Sequence, residues 1–123
     1  MRLIFYLLPF ISLVLTLTPG QAQVVVNELC TDNSAFDSPG GRSTDYVELY
    51  NLGASPVNLT GWSITEDPNG SDEFLLPAGT MIPGQGFLVI WLDSKTNYID
   101  IVSTNFALND KGEQVFLYNG SVQ

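Results

Sequence analysis

Histidine is absent from the 123 residues, cysteine occurs once, and lysine and arginine together number only 4. The first absence removes Ser-His-Asp and Cys-His catalysis, histidine-based zinc sites and imidazole pH switches together. A single cysteine rules out an intrachain disulfide. Four basic residues stand against 13 acidic ones, a formal net charge of −9. That balance argues against a nucleic-acid partner, because phosphate binding draws its affinity from clustered Lys and Arg. No window after Gln23 keeps an apolar period of 3.6 for three turns, so no amphipathic helix is expected. Cofactor fingerprints are missing too: Pro83-Gly84-Gln85-Gly86 reads as a turn before a strand, not a phosphate loop opening a helix. What remains is a chain with 45% hydrophobic and 14% charged residues, a composition that builds a core. Its length suits one domain.

Residues 1–22 read as a secretory signal peptide. Arg2 supplies the positive start, Leu3 to Leu17 is uncharged, and Gly20-Gln21-Ala22 places small residues at −3 and −1 of a cut before Gln23. A membrane anchor would need roughly 20 apolar residues. This stretch is shorter, contains Pro9 and runs into Pro19-Gly20. The expectation is therefore a secreted or cell-surface protein with no membrane span once the signal is removed. The mature chain would carry Arg42, Lys95 and Lys111 against all the acids. Cys30 is expected as a small buried hydrophobe closing the first strand, because Glu28 and Asp32 deny it the electropositive setting of a reactive thiol. Pairing with a partner chain is the alternative.

Residues 23–123 punctuate as an all-β domain: short β-rich runs separated by Gly, Pro, Asn and Asp clusters. Strands are expected at Gln23 to Cys30, Tyr46 to Tyr50, Val57 to Leu59, Trp62 to Ile64, Glu73 to Leu76, Thr80 to Ile82, Phe87 to Leu92 and Glu113 to Asn119. Val47 and Leu49 should point inward, with Tyr46, Glu48 and Tyr50 outward. Phe87 to Leu92 is apolar throughout and is expected as a central strand buried on both faces. Phe106 and Leu108 should tuck inward from an irregular segment. Trp62 and Trp91 are the expected core anchors, and truncating Trp62 should cost about 3–5 kcal/mol. Seven to eight short strands with turn signals every eight to twelve residues is the pattern of a sandwich.

Carboxylates are the only functional groups in surplus. A glycosidase pair would need two of them at a set separation across a cleft, and strand spacing identifies no such pair. Glu66-Asp67 leads into a turn and reads as solvated. Asn27, Glu28, Asp32, Asn33, Asp37 and Asp45 gather around the first strand and its loop, an oxygen-rich set that would suit calcium. Their spacing matches no EF-hand, and Asp and Asn are also ordinary turn residues. No catalytic or cofactor-binding residue is expected, and the metal question stays open. Asn58-Leu59-Thr60, Asn69-Gly70-Ser71 and Asn119-Gly120-Ser121 fit the glycosylation sequon.

The order of short motifs resembles the lamin-tail domain family. The matching pieces are Val26-Asn27-Glu28-Leu29, Asp45-Tyr46-Val47-Glu48-Leu49-Tyr50-Asn51 and Val57-Asn58-Leu59-Thr60-Gly61-Trp62. Pro77-Ala78-Gly79-Thr80 with Ile82-Pro83, Phe87 to Asp93, Thr104-Asn105-Phe106-Ala107-Leu108 and Gly112-Glu113-Gln114-Val115 complete the series. The resemblance implies an immunoglobulin-like β-sandwich over residues 23–123, and the signal peptide places it with the bacterial secreted branch. Domains of this family usually continue into a further closing strand, whereas Asn119-Gly120 lies just before Gln123. The resemblance therefore implies a domain truncated at its C-terminal end, or else one with an open edge.

The function expected is a non-catalytic adhesion or interaction module at or outside the cell surface, with a protein or surface glycan as partner. Two alternatives follow. One is a carbohydrate-binding sandwich using outward Tyr46, Tyr50 and Tyr118, which an exposed aromatic row would favour and burial would defeat. The other is an accessory domain of a secreted hydrolase whose catalytic part lies beyond residue 123, in keeping with the nucleases and phosphoesterases that the resemblance implies as neighbours.

Overall fold

The computed structural model describes residues 23–70, 73–93, 104, 107–108 and 114–120. The expected signal peptide, the inward tuck of Phe106 and the Lys111-Gly112 turn lie outside them. Eight strands form among the described residues: β1 (Val24–Cys30), β2 (Asp45–Asn51), β3 (Val57–Asn58), β4 (Ser63–Thr65), β5 (Phe74–Leu75), β6 (Met81–Ile82), β7 (Phe87–Leu92) and β8 (Phe116–Tyr118). No helix occurs among these residues. The β-branched and aromatic runs fall on strands, and the Gly, Pro and Asx clusters fall between them.

Every pairing is antiparallel. One sheet runs β1-β2-β7, a second pairs β3 with β6, and a third runs β5-β4-β8. Core residues come from the first and third sheets alike: Val47, Leu49, Ile90 and Leu92 from one, Ile64 and the partly buried Leu117 from the other. Ile82 of the second sheet and Leu59 and Leu76 of the connections belong to the same cluster. Two sheets sharing one apolar interior is the two-layer arrangement expected of a sandwich.

The alternation of β2 is as expected, with Val47 and Leu49 fully buried. Its last residue, Asn51, is also fully buried, and its amide binds loops at that end. Gly84 lies in the same junction: a Cβ there would collide with the Ala54 carbonyl, so only glycine lets the two loops approach this closely.

Three expectations are corrected. First, β7 is not buried on both faces. Leu88, Ile90 and Leu92 face the core, while Phe87 is 54% exposed and Val89 and Trp91 are half-buried on the outer face. β2 is the central strand of the sheet. An apolar run states that both faces dislike water, not that a second sheet covers each of them. Second, neither tryptophan anchors the core. Both are half-buried, and the fully buried side chains are aliphatic or small and polar. Third, Cys30 is half-buried and shares the outer face with its register partner Tyr46.

Candidate functional site

The outer face of the β1-β2-β7 sheet carries the chemistry. Register sets three rows across it: Val25, Tyr50 and Phe87; Glu28, Glu48 and Val89; Cys30, Tyr46 and Trp91. A bulge between Val26 and Glu28 places Asn27 as the additional residue of β1, which re-aims side chains along the strand. The Asn27 amide donates to Glu48 Oε1 at 2.8 Å, orienting that carboxylate.

Above this face lies the segment from Thr31 to Thr44, irregular as expected but folded around one side chain. Asn33 is buried, and its amide nitrogen donates to the carbonyls of Phe36 and Thr44 at 2.7 and 2.9 Å. Its oxygen accepts from the backbone N–H groups of Ala35 and Phe36. A tight turn from Ser38 to Arg42 returns the chain, and the Ser43 hydroxyl donates to Asp37 Oδ1 at 2.9 Å. The loop thereby holds Phe36 and Asp37 over the sheet. Between loop and sheet is a hollow of about 300 Å³ lined by Phe36, Asp37, Tyr46, Glu48, Val89 and Trp91.

Tyr46 is the fixed wall of that hollow. It is 8% exposed, meets Trp91 edge-on with ring centroids 5.7 Å apart, and donates its hydroxyl to Glu28 Oε1 at 2.7 Å. That hydrogen bond to a carboxylate, reinforced by burial, pushes the phenol up to about 12. The folded pKa lies above the unfolded one, near 10, so the contribution is fully present below pH 10. It is lost as pH rises through about 12. Urea unfolding of the protein and of Tyr46→Phe should therefore show an advantage for the natural residue at pH 9 that shrinks steadily between pH 10 and 12. An advantage independent of pH would contradict the assigned hydrogen bond.

The oxygen-rich residues of β1 and its loop are not gathered around one point. Asn33 is committed to its own loop, Asn27 to Glu48, Glu28 to Tyr46, and Asp45 accepts from the Asp32 backbone N–H at 2.9 Å. Among the described residues no group of three or more His, Cys, Asp or Glu side chains is placed to hold a metal ion. Arg42, the one basic residue among those described, lies 4.0 Å from the buried carboxylate of Asp93. Glu66 and Asp67 are half-buried rather than fully solvated, and Asp67 organises its turn through Thr65 and Asn69.

The aromatics expected as a sugar platform are split. Tyr50 and Phe87 pair at 4.7 Å with planes 34° apart, and Tyr46 and Trp91 meet at 63°. Tyr118 stacks with Phe116 on the other sheet. A further hollow of about 700 Å³ runs between β1 and β8 and includes Val24, Val26, Val57, Trp62, Val115 and Leu117 in its walls. That lining continues the core to the surface and carries no ionisable group apart from the Tyr118 phenol.

What sequence reasoning missed was Phe36 and the meeting of Tyr46 with Trp91. The available signal was the presence of Phe36 as the one aromatic residue in the glycine- and serine-rich segment 31–44, which the structure leaves 62% exposed.

No curated protein and no solved structure matches the chain significantly. The model of the Lamin Tail Domain family does match, over residues 18–123, and on that match, together with the all-β fold, the chain belongs to the Lamin Tail Domain family.

Proposed function

We propose that this domain is a non-catalytic interaction module that works at or outside the cell surface and binds a protein partner. The observation that carries the reading is the surface made by the outer face of the β1-β2-β7 sheet and the loop above it, where Phe87 of the sheet and Phe36 of the loop are exposed and the carboxylates of Glu48 and Asp37 are oriented. Accessible aromatic residues beside oriented polar groups are typical of recognition surfaces. Family membership supports the same reading, and so does the lack of histidine for general-base work near neutral pH. Extracytoplasmic action rests on the signal-like residues 1–22. A glycan partner is less well supported, because the ring pairs tilt and Tyr46 is packed edge-on instead of offering a flat platform.

Two measurements test the reading. Amino-terminal sequencing of protein recovered outside the cytoplasm should start at Gln23; recovered material beginning at Met1 would remove the export step. Purified protein should be inert on polysaccharide, phosphoester and peptide substrates, with or without calcium. Turnover abolished by replacing Glu28, Asp32, Asp45 or Glu48 would overturn the non-catalytic assignment.

A further inference from the structure

We propose that the hollow under the Thr31–Thr44 segment receives an arginine side chain from a basic segment of the protein partner. This deepens the interaction-module reading and rests on it. The hollow's size, walls and charge all bear on the choice of occupant. At about 300 Å³ it sits at the lower end of ligand-pocket sizes, enough for one side chain and too little for a cofactor or an oligosaccharide. Phe36 and Trp91 line it, with Tyr46 held edge-on to Trp91. Aromatic faces attract cations through their quadrupole, and a guanidinium stacks on them better than an ammonium does.

Carboxylates enter from two sides. Asp37 comes from the loop and is steered by Ser43; Glu48 comes from the sheet and is steered by Asn27. Carboxylate and guanidinium form paired, charge-assisted hydrogen bonds, which adds direction to attraction. Tyr46 adds no charge of its own, because its phenol stays neutral to about pH 12, so the two carboxylates supply the hollow's negative charge. The whole chain carries a net charge of −9, so the surrounding field favours a basic partner. A neutral apolar side chain would fit the rings but leave both carboxylates without compensation. An acidic one would be repelled.

The test uses ¹⁵N-labelled protein titrated with the capped tripeptide Gly-Arg-Gly, followed through the indole N–H resonances. The chain has 2 tryptophans, one in the hollow and one outside it, so Trp62 serves as internal control. The Trp91 resonance should shift saturably in the millimolar range, the order expected when one side chain supplies the contact, while Trp62 stays in place. The same peptide with citrulline, which keeps the shape and loses the charge, should bind roughly tenfold more weakly. Glu48→Gln, which retains an acceptor for Asn27, should weaken the arginine peptide to a similar degree, with an unmoved Trp62 signal reporting an intact fold. No Trp91 shift, equal binding of the citrulline peptide, or equal shifts of both indoles would each overturn the proposal. So would a Trp91 shift with cellohexaose and none with the arginine peptide, which would assign the hollow to glycan. Export and catalytic inertness are read out independently of this hollow, so the arginine site can fail while the module reading stands.

Discussion

Replacing Asn51 with leucine should lower the unfolding free energy by about 3–4 kcal/mol, although the two side chains are close in size. Asn51 is completely buried at the end of the central strand. Its amide nitrogen donates to the Ser55 carbonyl at 2.8 Å and the Pro83 carbonyl at 3.0 Å, and its oxygen accepts from the Gly53 N–H at 2.9 Å. One side chain thus ties together the two turns that precede β3 and β7. Backbone bonds complete the junction: Asn51 N–H to Gly86, Leu52 N–H to Gln23, and Gln85 N–H to Gly53. Leucine would leave two carbonyls and one N–H without their side-chain partner. An orphaned buried group costs about 1–3 kcal/mol; Ser55 and Pro83 lie in exposed turns, where water can recover part of the loss. For a small domain of ordinary stability the change is a large share of the total. In urea it should lower the midpoint and leave the slope unchanged. A loss below about 1 kcal/mol would mean that the backbone bonds alone hold the junction, as at ordinary surface sites.

Most strands were legible in the sequence because their signal is local. The alternation of Tyr46 to Tyr50 and the turn residues around Val57, Phe74 and Met81 fix each element without reference to any other. The expected runs at Glu73 to Leu76 and Glu113 to Asn119 contain the shorter β5 and β8. Sheet order was not legible in the same way. Phe87 to Leu92 reads as a doubly buried strand, yet its outer side chains are covered only in part, by Tyr46, Tyr50 and a loop phenylalanine. Which neighbour covers a face is a fact of tertiary packing, and hydrophobic pattern carries no record of it.

The hollow was still less legible, because it depends on register. Tyr46 meets Trp91, and Glu48 stands beside Val89, only because β2 and β7 pair as they do. Glu28 reaches Tyr46 from a strand whose register shifts at Asn27. Asn33 and Asp45, two of the residues that suggested a calcium loop, hold that loop in place. Asn33 spends both ends of its amide on its own loop, and Asp45 is drawn to the Asp32 backbone. A side chain that can ligate a cation can equally satisfy a turn, and composition does not distinguish the two uses.

Leu49→Ala should prove costlier than Trp62→Ala, reversing the order that side-chain size suggests. Leu49 has no exposed surface, sits in the middle of the central strand, and has Val26 and Leu88 as its register partners. Core residues of both sheets surround the space it fills, so the neighbours have little freedom to collapse. Leucine-to-alanine changes at such sites cost about 3–4 kcal/mol, the lost transfer energy plus the cavity left behind. Trp62 packs against the core but also lines the groove between β1 and β8, and it stays half-buried there. Removing the indole widens a groove that solvent already reaches, so the cavity contribution largely vanishes. About 2 kcal/mol remains from lost apolar contact, less than the 3–5 kcal/mol expected of a fully buried tryptophan. Its backbone role is untouched, since the Trp62 N–H bonds Leu59 and its carbonyl accepts from Leu76 whatever the side chain. Parallel urea titrations of the two variants decide the matter. A Trp62→Ala loss equal to or above that of Leu49→Ala would show that the groove between β1 and β8 is closed in solution and that the indole is a core residue after all.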